Sequence, residues 1–180
     1  MAPRIWVLGF FMVFPLLVVP QHSAALDAEI NRKTLSGIES ILVVVEDVTP
    51  DARELGLTPE VLENDVKAKL KDAGIRVVSR EEWLKLPGSP YLYLQTSVVK
   101  VGRAGTYAFT VAASVLQDVY LKRDPALDLA EATTWSVGSH GHTDRRNRDF
   151  VRVAVGDMVD LFLGAYREAN GLKDTAPDTS

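Results

Sequence analysis

Hydrophobic and polar residues follow several distinct rhythms along the chain, and each rhythm predicts a different element. Ile41-Leu42-Val43-Val44-Val45 is an unbroken aliphatic run bounded by Gly37 and by Thr49-Pro50, the pattern of a strand buried on both faces. From Thr58 the period becomes helical. Thr58 can cap free N–H groups, Pro59 suits the first helical position, and Glu60 suits the positive end of the dipole. Leu62, Val66, Leu70 and Ala73 recur on one face, Lys67, Lys69 and Lys71 lie largely off it, and Gly74 supplies a left-handed stop. Ile75–Val78 reads as a short strand, and Ser79–Leu86 as a turn of helix around Trp83.

Pro87-Gly88-Ser89-Pro90 breaks the chain. Tyr91–Val101 and Thr106–Leu121 are then strand-like, joined by Gly102-Arg103-Ala104-Gly105 as a hairpin turn. In the second of these, Tyr107, Phe109, Val111, Ala113, Val115, Val119 and Leu121 share one side. Ala108, Thr110, Ala112, Ser114 and Asp118 take the other, so one face should meet a core and the other be wetter. So long a strand predicts a bulge, near Ser114 or Gln117. Lys122-Arg123-Asp124-Pro125 turns the chain, and Glu131–Gly138 predicts a further strand carrying Thr133, Trp135 and Val137 on one side. Val151, Val155, Met158, Phe162 and Ala165 form the stripe of a helix over 146–169, broadened by Phe150, Ala154, Leu161 and Tyr166 and stopped by Asn170-Gly171. The expected fold is α+β. It is a two-layer sandwich with a mostly antiparallel sheet of about five strands, in the order β-α-β-β-β-α, and two main helices on one face. The first two strands, if parallel, form a crossover around the first helix.

The chain's first residues carry an address. Arg4 gives a short positive end, Ile5–Val19 is apolar apart from Gly9 and Pro15, and Ser23-Ala24-Ala25 offers the small residues a signal peptidase accepts. The run is shorter than the roughly 20 apolar residues of a spanning helix. An uncleaved N-terminal anchor is the alternative. The chain then divides into a signal peptide (1–25), a linker (26–37), a single α+β domain (38–170) and a flexible tail (171–180). The product is expected to be exported, periplasmic or secreted, with no stable membrane span after cleavage.

Composition narrows the chemistry. In 180 residues, 47% hydrophobic and 24% charged, there is no Cys, which removes disulfides, Zn-thiolate sites, thiol nucleophiles and lipidated cysteines. A net charge of −4 argues against a nucleic-acid backbone as the partner. No nucleophile elbow and no phosphate or dinucleotide glycine pattern is present. The sequence predicts no cofactor and assigns no catalytic residue.

Two neighbouring segments invite a function. In Ser139-His140-Gly141-His142-Thr143-Asp144, His140, His142 and Asp144 have the residue types and spacing of ligands for a Zn-like ion. The segment is similar to the H-x-H-x-D stretch of the metallo-β-lactamase superfamily, but Arg145 stands where that motif continues into another His, and no His follows His142. The competing reading is a polar loop leading into the last helix, capped by Thr143 or Asp144. Arg145, Arg146 and Arg148 follow, at the helix end where positive charge opposes the dipole. They are candidates for holding an anion or an acidic partner, or for pairing in solvent with Asp144 and Asp149. Glu46-Asp47 and Glu81-Glu82 are paired carboxylates expected to be solvated, and Tyr91, Tyr93 and Trp83 could form a contact surface.

The order of elements, with Leu70-Lys71-Asp72-Ala73-Gly74-Ile75-Arg76-Val77-Val78 running from helix into strand ahead of a long hairpin, resembles small bacterial envelope domains. These are the N-terminal domain of the Tol-Pal β-propeller protein and the lipoprotein activators of penicillin-binding proteins. The resemblance implies a domain that docks to other envelope proteins, and no functional residue carries over. The reading is therefore an exported soluble accessory or adaptor domain of the cell envelope, non-enzymatic, that binds another envelope protein. The alternative is a small metal-binding protein or metal-dependent hydrolase using His140, His142 and Asp144.

Overall fold

The computed structural model describes residues 21–102 and 105–172. The apolar run of the leader, Arg103 and Ala104 of the hairpin turn, and most of the expected tail lie outside them.

The strands are β1 (Gln21–Leu26), β2 (Ser40–Val45), β3 (Arg76–Val77), β4 (Tyr91–Val101), β5 (Thr106–Leu121) and β6 (Asp124–Asp144). They form one sheet in the order β1-β6-β5-β4-β2-β3. β2 runs parallel to β3 and β4, and the remaining neighbours are antiparallel. The helices are α1 (Glu29–Arg32), α2 (Pro50–Glu54), α3 (Pro59–Asp72), α4 (Arg80–Trp83) and α5 (Phe150–Ala169). This is the expected α+β sandwich with its mixed, mostly antiparallel sheet, and it gains a sixth strand at the N-terminal edge.

Alternation decides which face carries the helices. Ile41 and Val43 of β2, Leu92, Leu94 and Val98 of β4, the odd-numbered residues Tyr107–Val115 of β5, and Trp135 and Val137 of β6 are all buried. They form one core with Leu62, Val66 and Leu70 of α3 and Val151, Val155, Met158 and Phe162 of α5. The other face is covered only locally, where Trp83 of α4 and Val78 pack with Tyr91, Leu42, Val44 and Tyr93. Two local devices match the sequence reading. The Thr58 hydroxyl accepts from the Val61 N–H at 3.3 Å, and Gly74 takes φ +80° just past α3, a conformation costly to any residue with a Cβ.

Four expectations change. First, Ser139–Asp144 is the end of β6, paired to Val111–Thr106 of β5, and not a loop. Its inward positions are Ser139, Gly141 and Thr143, small because Phe109 lies over Gly141 with ring atoms 2.9 and 3.0 Å from where a Cβ would stand. A strand of small polar residues shows no hydrophobic alternation to read. Second, β6 begins at Asp124, well before Glu131. Third, α5 starts at Phe150, because a 3-10 turn, Arg145–Asn147, intervenes. Fourth, residues 26–37, expected as a linker, are docked on the domain. They carry α1 and a 3-10 turn, Lys33–Leu35, and Leu35 is completely buried, worth about 1.5–3 kcal/mol.

Polar contacts hold that segment at several points. The Asp27 carboxylate accepts from Trp135 Nε1 at 2.7 Å and from Arg32 Nε and Nη2, both at 2.8 Å. Asn31 Nδ2 donates to the Thr134 carbonyl at 3.0 Å, and the Gly37 N–H to Asn170 Oδ1 at 2.9 Å. Burial alone would raise the Asp27 pKa. The hydrogen bonds from Arg32 and Trp135, with the Arg32 charge, outweigh it and hold the carboxyl below its ordinary value.

Candidate docking surfaces

Asp144 closes β6 by bending the chain. Its Oδ1 accepts from the N–H groups of Arg146 at 2.8 Å and Asn147 at 3.1 Å, so the cap expected of this residue serves the 3-10 turn. Thr143, buried, donates from Oγ1 to the Asn147 carbonyl at 2.8 Å. The turn is thereby fixed from both sides.

The three arginines separate at this turn. Arg145 Nε donates to the Tyr107 hydroxyl at 3.1 Å, and its Nη2 to Glu54 Oε2 at 3.0 Å. The same Glu54 oxygen accepts from Tyr107 at 3.2 Å. Arg145 thus ties the turn to α2, and the Tyr107 and Glu54 contacts raise its pKa further. Arg146 and Arg148 are exposed, and neither guanidinium makes a hydrogen bond or ion pair among the described residues.

His140 and His142 are also exposed, on the side of β6 away from the helices, opposite Thr110 and Ala108 of β5. Asp144 follows on the same side with one oxygen engaged in capping. Among the described residues, no three His, Cys, Asp or Glu side chains are grouped to hold a metal ion. His142, Thr143, Asp144 and Asn147 line an open depression of about 420 Å³ with Thr106 and Phe150.

One carboxylate of each pair is used structurally. Asp47 accepts from the Val48 N–H and pairs with Arg53. Glu82 completes a capping box with Ser79 and pairs with Arg76. Trp83, Tyr91 and Tyr93 meet edge to face at 5.9 and 6.4 Å, and Trp83 Nε1 donates to the Ser89 carbonyl at 2.8 Å. Burial first, then the Glu131 charge, raises the Tyr91 pKa. This cluster packs the outer face of the sheet.

A further surface was missed by the sequence reading. β4 stops pairing with β5 at Leu116, opposite Tyr91, and β1 stops at Ser136 of β6. Beyond those points β5 and β6 continue together to Leu121 and Asp124 as a two-stranded arm with no third strand among the described residues. Its base is distorted: pairing shifts register between Val115 and Leu116 and again between Gln117 and Val119. Glu131 takes φ +59°, rare for a residue with a side chain. The Asp118 N–H, displaced from the ladder, donates to the Gly88 carbonyl at 2.8 Å. Along the arm Tyr120, Leu127 and Leu129 are exposed, Tyr120 by 68%. The only signal for it is apolar residues recurring on both sides of Lys122-Arg123-Asp124-Pro125, a pattern that a plain turn also satisfies.

No family model matches the sequence, and no curated protein matches it. Among solved structures, it is similar to the PelC dodecamer from Paraburkholderia phytofirmans at 13% identity and a TM-score of 0.43, over 82% of this chain and 98% of that one. A point variant of the same PelC dodecamer gives 14% identity and a TM-score of 0.44, over 81% and 98%. These matches correct the resemblance drawn from the order of elements: both of these structures are of PelC, and not of the Tol-Pal propeller protein's N-terminal domain or the lipoprotein activators. The helix-into-strand pattern at Gly74 is shared by many α+β folds and does not separate one family from another. No helix among the described residues is long and apolar enough to cross a membrane.

Proposed function

We propose that the chain is an exported binding or accessory domain of the bacterial cell envelope that acts by docking to another envelope protein and not by catalysis. The observation that carries this reading is the β5–β6 arm. An isolated two-stranded ribbon is marginal in water, and this one extends past the sheet while exposing Tyr120, Leu127 and Leu129. Exposed aromatic and aliphatic residues on a projecting element serve a partner better than they serve the monomer. Arg146 and Arg148 offer a second, charged contact at the opposite end of the ribbon. The export half of the reading rests on the leader layout of residues 1–25.

Photocrosslinking in intact cells tests this. A crosslinker placed at Tyr120 or Leu127 is expected to capture one discrete envelope protein, whereas one at Lys67 on α3 is not. With the crosslinker kept at Leu127, changing Tyr120 and Leu129 together to Ser should abolish that adduct with the fold intact by circular dichroism. Equal labelling from the arm and from Lys67 would refute the reading. Replacing Arg145, Arg146 and Arg148 by Ser tests the charged end: unchanged capture removes it from the interface. Metal analysis of the purified protein, with and without His140→Ala and His142→Ala, separates docking from the metal-dependent alternative. A stoichiometric ion lost in the variants favours the alternative.

A further inference from the structure

The edge strand β1 and the expected leader cleavage fall on the same residues. β1 lies antiparallel to β6 with Gln21 opposite His140, His22 opposite Ser139, Ser23 opposite Gly138 and Leu26 opposite Ser136. A cut after Ala25 removes all of that strand but Leu26. The chain on the C-terminal side of the cut stays attached, since Asp27 is held by Trp135 and Arg32 and Leu35 is buried. Cleavage therefore opens one edge of the sheet without releasing the segment behind it.

The opened edge is Ser136-Val137-Gly138-Ser139-His140. On its other side each of these residues is paired to β5, from Ser114 to Thr110, so the edge is regular and rigidly backed. Natural edge strands are blunted by Lys, Pro, bulges or charges, and this stretch contains no Lys, Pro or acidic residue. It would present an unprotected row of backbone donors and acceptors. The chain's own occupant of this edge, Gln21-His22-Ser23-Ala24-Ala25, holds no Lys, Arg, Asp or Glu.

We propose that the β6 edge over Ser136–His140 is a strand-acceptor site. Before cleavage the chain's own residues 21–25 fill it. In the exported protein it takes an uncharged, extended segment of a partner polypeptide, antiparallel to β6, through backbone hydrogen bonds. The proposal deepens the docking reading and rests on its export half.

The test begins with the full chain expressed in cells and the exported product purified. Its mass should give an N-terminus at Leu26. A product that retains 21–25 overturns the proposal and leaves the arm experiment to judge docking on its own. In the cleaved product, hydrogen exchange at those amides of Ser136–His140 that face the vacated edge should be at least about tenfold faster than in an Ala25→Tyr chain, whose bulky residue blocks peptidase. A synthetic peptide Gln-His-Ser-Ala-Ala-Leu should restore protection in the cleaved product and leave Ala25→Tyr unchanged. The same peptide with N-methylated backbone amides should do nothing. Two results would overturn the site. One is slow exchange without peptide together with a dimeric mass, which means a second copy fills the edge. The other is exchange indifferent to millimolar peptide.

Discussion

The β5–β6 ribbon spends its two halves in different surroundings. From Tyr107 to Val115, and opposite them from Trp135 to Thr143, one side of the ribbon lies under α5 and the alternate residues are buried. Past Gln117 and Ala132 the same two strands run on with Tyr120, Leu127 and Leu129 in solvent. Backbone pairing runs through both halves, with register shifts at the junction and another near the tip, between Tyr120 and Leu121. What differs is the presence of a second layer. Pairing alone makes a ribbon, whereas burial against a helix makes it part of the fold. The supported half holds the protein together, and the unsupported half is free to meet something else.

Substitutions can sharpen or break that contrast. The largest effect is expected at Trp135, which is wholly buried, packs on Phe162 at 5.6 Å and donates to Asp27. Trp135→Ala should cost about 3–5 kcal/mol, read from urea or guanidinium unfolding. Gly141→Ala comes next: with the Phe109 ring 2.9 Å from the new Cβ, the ring must move, and a loss of about 1–3 kcal/mol is expected by the same measurement.

A smaller effect is expected in acid. The Asp27 carboxyl is held below its ordinary pKa of 3.8 when folded. Its contribution is therefore complete above the unfolded value and disappears as pH falls through the folded one. Asp27→Asn should leave a shallower decline in stability below about pH 4 than the native chain shows. An unchanged acid limb would show that this carboxylate does not anchor the N-terminal segment.

The least effect on stability belongs to the arm. Tyr120→Ser, Leu127→Ser and Leu129→Ser should each stay within about 0.5 kcal/mol of the native protein. A loss of several kcal/mol from any one of them would mean that the arm is packed in solution and would erase the contrast.

How much of this was legible depended on whether a residue's role left a periodic trace. Tyr107–Val115 alternates in hydrophobicity, and its buried face could be read directly. Thr58, Pro59 and Gly74 carry the chemistry of helix ends and marked α3 closely. Ser139–Asp144 was misread because the ring of Phe109 fills the space that a larger side chain at Gly141 would need, leaving a strand that looks like a loop. Residues 26–37 were misread because polar side chains dock them: Asp27, Asn31 and Asn170 find partners more than 100 residues away, which no local pattern contains. Of the candidate site, the arginines were found but their separate duties were not. Arg145 differs from Arg146 and Arg148 only through Tyr107 and Glu54, which the topology brings to it.

Those distant partners also fix an order of events. The segment around Asp27 has nothing to close upon until Thr134, Trp135 and Asn170 have been synthesised and laid down. Loops of that length close slowly. The N-terminal segment is therefore among the last parts of the fold to close, after the strand and helix that receive it are in place.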